Sequence, residues 1–204
     1  KYVQNDFEIN DGLLEIGSQA FMDCKCLRKI SMPDSVTEVG QGAFSDCENL
    51  SEVTLSKGLT HLGGSAFRNC DKITSIEIPK SLESADGGYG ESGRGAFCEC
   101  DGLKTVTFEK GTTKITGELF ANCPGIAEIT IPDTVTEIEF RAFAKCTNLK
   151  KIKLSDNLTS IGDNAFGDCK KLGDVMFPEN LTKIEEYAFY ECDALTEIVI
   201  PDNV

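Results

Sequence analysis

Ala20-Phe21-Met22-Asp23-Cys24 decides the reading of this chain, because its Phe and Cys return along almost the whole length. The Phe column runs Phe21, Phe44, Phe67, Phe97, Phe120, Phe143, Phe166 and Phe189, in steps of 23 residues except for the 30 between Phe67 and Phe97. A cysteine follows each Phe three places on: Cys24, Cys47, Cys70, Cys100, Cys123, Cys146, Cys169 and Cys192. A fixed period of about 20–50 residues marks a solenoid, in which one coil cannot bury its own apolar face and stacks on its neighbours.

Working outward from the Phe, aliphatic residues fall at +6, +9 and +11, as in Leu27, Ile30 and Met32 or Leu50, Val53 and Leu55. Two more fall at +15 and +18, as in Val135 and Ile138. The +9 and +11 pair alternates with polar residues, the period-two signature of a strand with one buried side, so each coil is expected to add a strand to a parallel sheet. Pro33, Pro79, Pro132, Pro178 and Pro201 follow that strand, and a residue without an N–H ends the ladder and turns the chain. The Ala-Phe-x-x-Cys segment is expected to close each coil as a short helical turn with Phe filling the interior. No long amphipathic helix is visible.

The pattern Leu149-x-x-Ile152-x-Leu154, then Leu158-Thr-x-Ile161-Gly162-x-x-Ala165-Phe166-x-x-Cys169, resembles the leucine-rich repeat. It is most similar to the 23-residue BspA-like subtype, also called the Treponema pallidum type, and the resemblance covers residues 7–204. It implies an α/β-type or mainly-β solenoid: a curved, right-handed superhelix with a parallel β-sheet on the concave face, and short helical turns and second short strands elsewhere. It also implies a secreted or cell-surface location, since several members of the family are adhesins.

Composition agrees with one continuous solenoid domain over residues 1–204, of about eight repeats with incomplete coils at both ends. Lys1 stands where a Met would open a whole protein and Val204 falls mid-coil, so an excised or mature segment of something longer is expected. The net charge of −14 repels phosphate backbones and anionic lipid, which argues against nucleic acid and membrane adsorption as partners. No apolar run reaches the roughly 18 residues that a membrane-spanning helix needs.

In horseshoe proteins partners commonly bind the concave sheet, which here would present the +8 and +10 residues. In the later coils these include Glu128, Thr130, Lys151, Lys153, Asp174 and Met176, a row of mixed charge without an aromatic anchor. The second candidate surface is a seven-residue insertion at residues 86–92, inside a glycine-rich stretch that reads as a loop. Tyr89 and Arg94 are its interface-type side chains. Gly88-x-Gly90-x-x-Gly93 matches the dinucleotide fingerprint in letters, but the register supplies no strand-to-helix unit around it.

Eight of the ten cysteines share one column. Parallel side chains about 4.7–4.9 Å apart neither turn towards each other for disulfides nor converge on one zinc ion, so reduced, buried thiols are expected. Cys26 and Cys98 fall outside the column. The single histidine, His61, is expected to be exposed, and with no second histidine there is no Ser/His/Asp set, HExxH or P-loop. A calcium role for aligned Asp34, Asp133, Asp156 and Asp202 competes with Lys57, Lys80 and Lys110 in the same column. Asn49, Asn157 and Asn180 form Asn-x-Ser/Thr sequons that recur because the repeat does. The expectation is a non-enzymatic binding or adhesion module that needs no metal or cofactor and whose partner is a protein or glycan, host extracellular molecules included. The alternative is a spacer within a larger surface protein.

Overall fold

A computed structural model describes residues 9–85 and 95–204. Phe7, Tyr89, Arg94, the insertion at residues 86–92 and the Gly88/Gly90/Gly93 match lie outside them.

The described residues form a parallel-strand solenoid of about seven turns. Six of the +8 to +10 segments are strands, and the seventh contributes only an isolated bridge at Asp174. Lys29–Ser31 pairs with Glu52–Thr54, Ser75–Ile78 with Thr105–Phe108, and Glu128–Thr130 with Lys151–Lys153, all parallel. Equivalent residues face one another, as in Ile30 with Val53 and Ile129 with Ile152, so every slip of register is penalised by exposing the whole apolar set. The last coil carries the pattern but not the ladder: Ile198, Val199 and Ile200 are in no strand and are exposed by 43, 83 and 48%.

A second ladder forms at +17 and +18, which gives a place to the second short strands that the resemblance implied elsewhere in the coil. It joins Glu15–Ile16, Glu38–Val39 and His61–Leu62, and separately Lys114–Ile115, Glu137–Ile138, Ser160–Ile161 and Lys183–Ile184. Between the two ladders the chain turns at Pro33 or Pro132, where Val36 and Val135 donate back to the proline carbonyls at 3.0 and 2.9 Å. Where Ser replaces Pro, the hydroxyl does the turning: Ser56 Oγ accepts the Gly58 N–H at 3.0 Å and Ser155 Oγ the Asn157 N–H at 3.1 Å.

The third side differs from expectation. Among the described residues there is no helix, and Ala-Phe-x-x-Cys is a run of turns. The residues two before and two after the Phe sit at positive φ, as at Gln19 and Asp23, Ser65 and Asn69, or Arg141 and Lys145. Left-handed residues that close together interrupt any right-handed run and aim alternate N–H groups at the neighbouring coil. Phe21 N–H donates to Ala43 O at 2.7 Å, Phe44 to Ala66 at 2.7 Å and Phe166 to Ala188 at 2.8 Å, so this side too is held by bonds between coils.

The Phe rings stack along the whole axis, with centroids 5.2–5.8 Å apart from Phe21 to Phe189. The six from Phe44 to Phe166 are fully buried and the two outermost half-buried. Glycine lets coils approach: a Cβ at Gly40, Gly63 or Gly162 would lie 2.5–2.6 Å from a backbone nitrogen of the preceding coil.

One boundary is looser. Among the described residues no strand pairing links Thr105–Phe108 with Glu128–Thr130, nor Ser84 with Lys114. The Phe97–Phe120 stack there is the widest and most tilted, 5.8 Å and 21°. The boundary follows the coil that contains the insertion, and Glu99 N–H still crosses it to Asn122 O at 2.7 Å.

Candidate partner-binding groove

The first ladder positions the groove. Strand register sets Lys151 beside Glu128 and Lys153 beside Thr130, and an isolated parallel bridge sets Asp174 on the other side of Lys151. Met176, two residues on, is 87% exposed. Beneath them Ile129, Ile152 and Leu154 make a buried apolar floor. The structure thus brings six of the eight sequence-derived candidates, Glu128, Thr130, Lys151, Lys153, Asp174 and Met176, to one groove of about 490 Å³. The other two, Tyr89 and Arg94, lie outside the described residues.

Its charges are open. Lys29 and Glu52 are paired in the same register as Lys151 and Glu128, with the order of the two charges along the stack reversed, and their side chains meet at 3.2 Å. Among the described residues neither Lys151 nor Lys153 forms such an ion pair. Two ammonium groups on neighbouring outward positions of one strand, above an apolar floor and beside a flexible thioether, can hold a partner's carboxylate while the floor and Met176 contact apolar surface.

Other candidates are placed differently. Asp34 Oδ1 accepts the Lys57 N–H at 3.2 Å and Asp133 Oδ1 the Asp156 N–H at 3.4 Å, so these carboxylates stitch coils together. No group of three metal-capable side chains forms among the described residues. His61 is half-buried rather than exposed, with Nδ1 2.8 Å from Ser84 Oγ. The sequon asparagines also serve the stack: Asn49, Asn157 and Asn180 donate from Nδ2 to main-chain oxygens of the preceding coil at 2.8–2.9 Å. All ten cysteines are free, Cys26 exposed and Cys98 buried with Sγ 3.6 Å from Ser65 Oγ.

The cysteine column does more than fill space. Cys47, Cys70, Cys146, Cys169 and Cys192 each donate S–H to the Phe carbonyl 26 residues earlier, at 3.1–3.2 Å, and Cys100 to Phe67 O at 2.9 Å. Burial pushes the thiols up, Cys47 and Cys192 to about 11 and Cys146 to about 12, so they stay protonated and unreactive near neutrality. The invariant Phe-to-Cys spacing was the available signal for this bond. Recurrent Thr at +16 was the signal for a similar hydroxyl column, which the sequence reading did not use.

The model for the BspA type leucine-rich repeat region matches residues 3–88 and 91–204, with six copies. No curated protein matches the chain. Among solved structures, a leucine-rich repeat protein from Eubacterium ventriosum ATCC 27560 is similar at 26% identity and TM-score 0.66, covering 85% of this chain and 44% of that one. The T. pallidum leucine-rich repeat protein is 28% identical with TM-score 0.55, covering 81% of this chain and 75% of that one. The pneumococcal vaccine antigen PcpA is 28% identical with TM-score 0.58, covering 96% of this chain and 50% of that one. The chain therefore spans about half or less of two of these relatives and three quarters of the other. With the repeat register seen in the sequence, the coil stack seen in space and the family model matching nearly every residue, the chain belongs to the BspA type leucine-rich repeat family.

Proposed function

We propose that this chain is a non-enzymatic binding module displayed at a bacterial cell surface, and that it holds a protein or glycan partner on the concave side of its solenoid, across the Lys151–Lys153 groove. The observation that carries this reading is the open pair of lysines: on an acidic chain of net charge −14, they stand without ion-pair partners among the described residues, over Ile129 and Ile152. The family is a scaffold family, and the likeness to a pneumococcal vaccine antigen supports display outside the cell.

The test is capture from a panel of host extracellular proteins and arrayed glycans, comparing the wild type with Lys151→Glu/Lys153→Glu and with Met176→Ser. Loss of captured partners with an unchanged melting curve supports the groove. Partners retained at full affinity by both variants move the site elsewhere. A wild type that captures nothing favours the spacer.

A further inference from the structure

We propose that the chain also pairs with a second copy of itself, side by side and antiparallel, through a face that adjoins the groove, which Asp156 also lines, and on which charge is sorted along the solenoid. After Asp34 in the first coil, the +13 column is basic for three coils and then acidic for four: Lys57, Lys80 and Lys110, followed by Asp133, Asp156, Glu179 and Asp202. All seven are exposed. Coils stack about 4.7–4.9 Å apart, so like charges sit one above another, an arrangement unfavourable within one chain. Among the described residues Lys57, Lys110, Asp133, Asp156 and Glu179 have no ion-pair partner, while Lys80 Nζ lies 3.5 Å from Glu109 Oε1.

The acidic half is shaped for ammonium groups. Gly111, Asp133, Thr134, Thr136, Asn157 and Thr159 line a shallow groove of about 710 Å³. Its hydroxyl protons are used inwards: Thr134 Oγ1 donates to Thr112 O at 2.6 Å, Thr136 to Thr113 O at 3.3 Å and Thr159 to Thr136 O at 2.9 Å. Asn157 Nδ2 donates to Asp133 O at 2.9 Å. A hydroxyl has one proton, so what these threonines turn outward is lone pairs, beside the Asp133 carboxylate. A lysine ammonium brings three donors and no acceptor, which is the complement of such a surface.

The chain carries that complement at a matching spacing. Turned antiparallel about a point between Lys110 and Asp133, two copies set Lys110 against Asp133, Lys80 against Asp156 and Lys57 against Glu179, twice over by symmetry. Any other basic ligand would have to reproduce the coil repeat, whereas a second copy has it already. Asp34 and Asp202 would meet at the rim, where screening leaves an exposed like-charge contact weak. The net charge of −14 opposes association at long range, so the pairing is short-ranged and salt-sensitive.

Sedimentation velocity on the full chain tests it at about 0.1 M salt, where the screening length is about 10 Å, and at about 1 M, where it is about 3 Å. The expected result is a concentration-dependent dimer at the lower salt that is lost at the higher. K57E/K80E/K110E and D133K/D156K/E179K should each weaken it by at least about tenfold, roughly 1.4 kcal/mol, with melting unchanged. Mixed one to one, these two variants should pair with each other. The sixfold swap, which keeps the net charge at −14, should dimerise again. If a reversal fails to fold, the neutral set K57Q/K80Q/K110Q replaces it with the same expectation. A wild type that stays monomeric, including one that binds only a lysine-rich peptide, overturns the proposal, as does a dimer indifferent to salt or to either reversal.

Discussion

Cys146 Sγ lies 3.2 Å from the main-chain oxygen of Phe120, one coil back, and joins the cysteine column to the Phe column. The bond gives the buried thiol its partner and occupies a main-chain carbonyl of the preceding turn. It accounts for the recurrence of the thiol at a fixed place after the turn, whereas the acceptor is a main-chain oxygen and the Phe side chain recurs for the ring stack.

The thiols make stability fall at alkaline pH. Cys146 titrates at about 12 in the folded chain against 9.0 for an ordinary thiol, chiefly because burial disfavours the thiolate. A raised folded value means that the contribution is complete below pH 9.0 and is lost as pH climbs towards 12. In that window each such thiol removes up to about 1.4 kcal/mol per pH unit. Denaturation midpoints should drop more steeply above pH 9 than in Cys146→Ala, which should itself be about 1 kcal/mol less stable at neutral pH through loss of the S–H donor.

Phe143→Ala removes a fully buried ring that stacks on Phe120 at 5.5 Å and on Phe166 at 5.4 Å. The expected loss is about 3–5 kcal/mol, as for other buried Phe truncations. In a stack held by nearest-neighbour contacts this should split the array, visible as two transitions or a large drop in urea midpoint. An unchanged midpoint would contradict the ring stack.

The left-handed positions offer gains. Lys145 has φ 61° where most coils place Asp or Asn, and its side chain contributes no ion pair among the described residues. Lys145→Gly should stabilise by about 0.5–1 kcal/mol, the relief of the left-handed penalty less the entropy glycine adds to the unfolded chain. Gly42 has φ +62° and an added Cβ would meet nothing closer than 3.5 Å. Gly42→Ala should therefore cost about 1 kcal/mol through conformation alone. Thermal melts of both variants check the pair of signs.

Deleting residues 86–92 should leave folding intact. The coil on the far side is back in register: Phe67 N–H donates to Ala96 O at 2.8 Å and the Phe67 and Phe97 rings stack at 5.2 Å. Shortening a loop relieves some closure entropy, so the midpoint should hold or rise by a few tenths of a kcal/mol. A deletion variant that fails to fold would place the segment inside the packing.

The sequence by itself determined the repeat, the strand at +8 to +10, the buried Phe column, the reduced cysteines and the outward row that includes Lys151 and Lys153. Those follow from periodicity, because a side chain's direction in a strand is set by parity and stacking repeats it coil after coil. Only the tertiary structure decided that the Phe turns are not helical, since their N–H groups are claimed by the next coil and two left-handed residues per turn are stabilised only when that coil is present. Only it distinguished Lys29, closed against Glu52, from Lys151, left open beside Glu128, although both pairs have the same register. Whether two charges meet depends on side-chain paths across neighbouring coils, and no spacing within a single repeat encodes that.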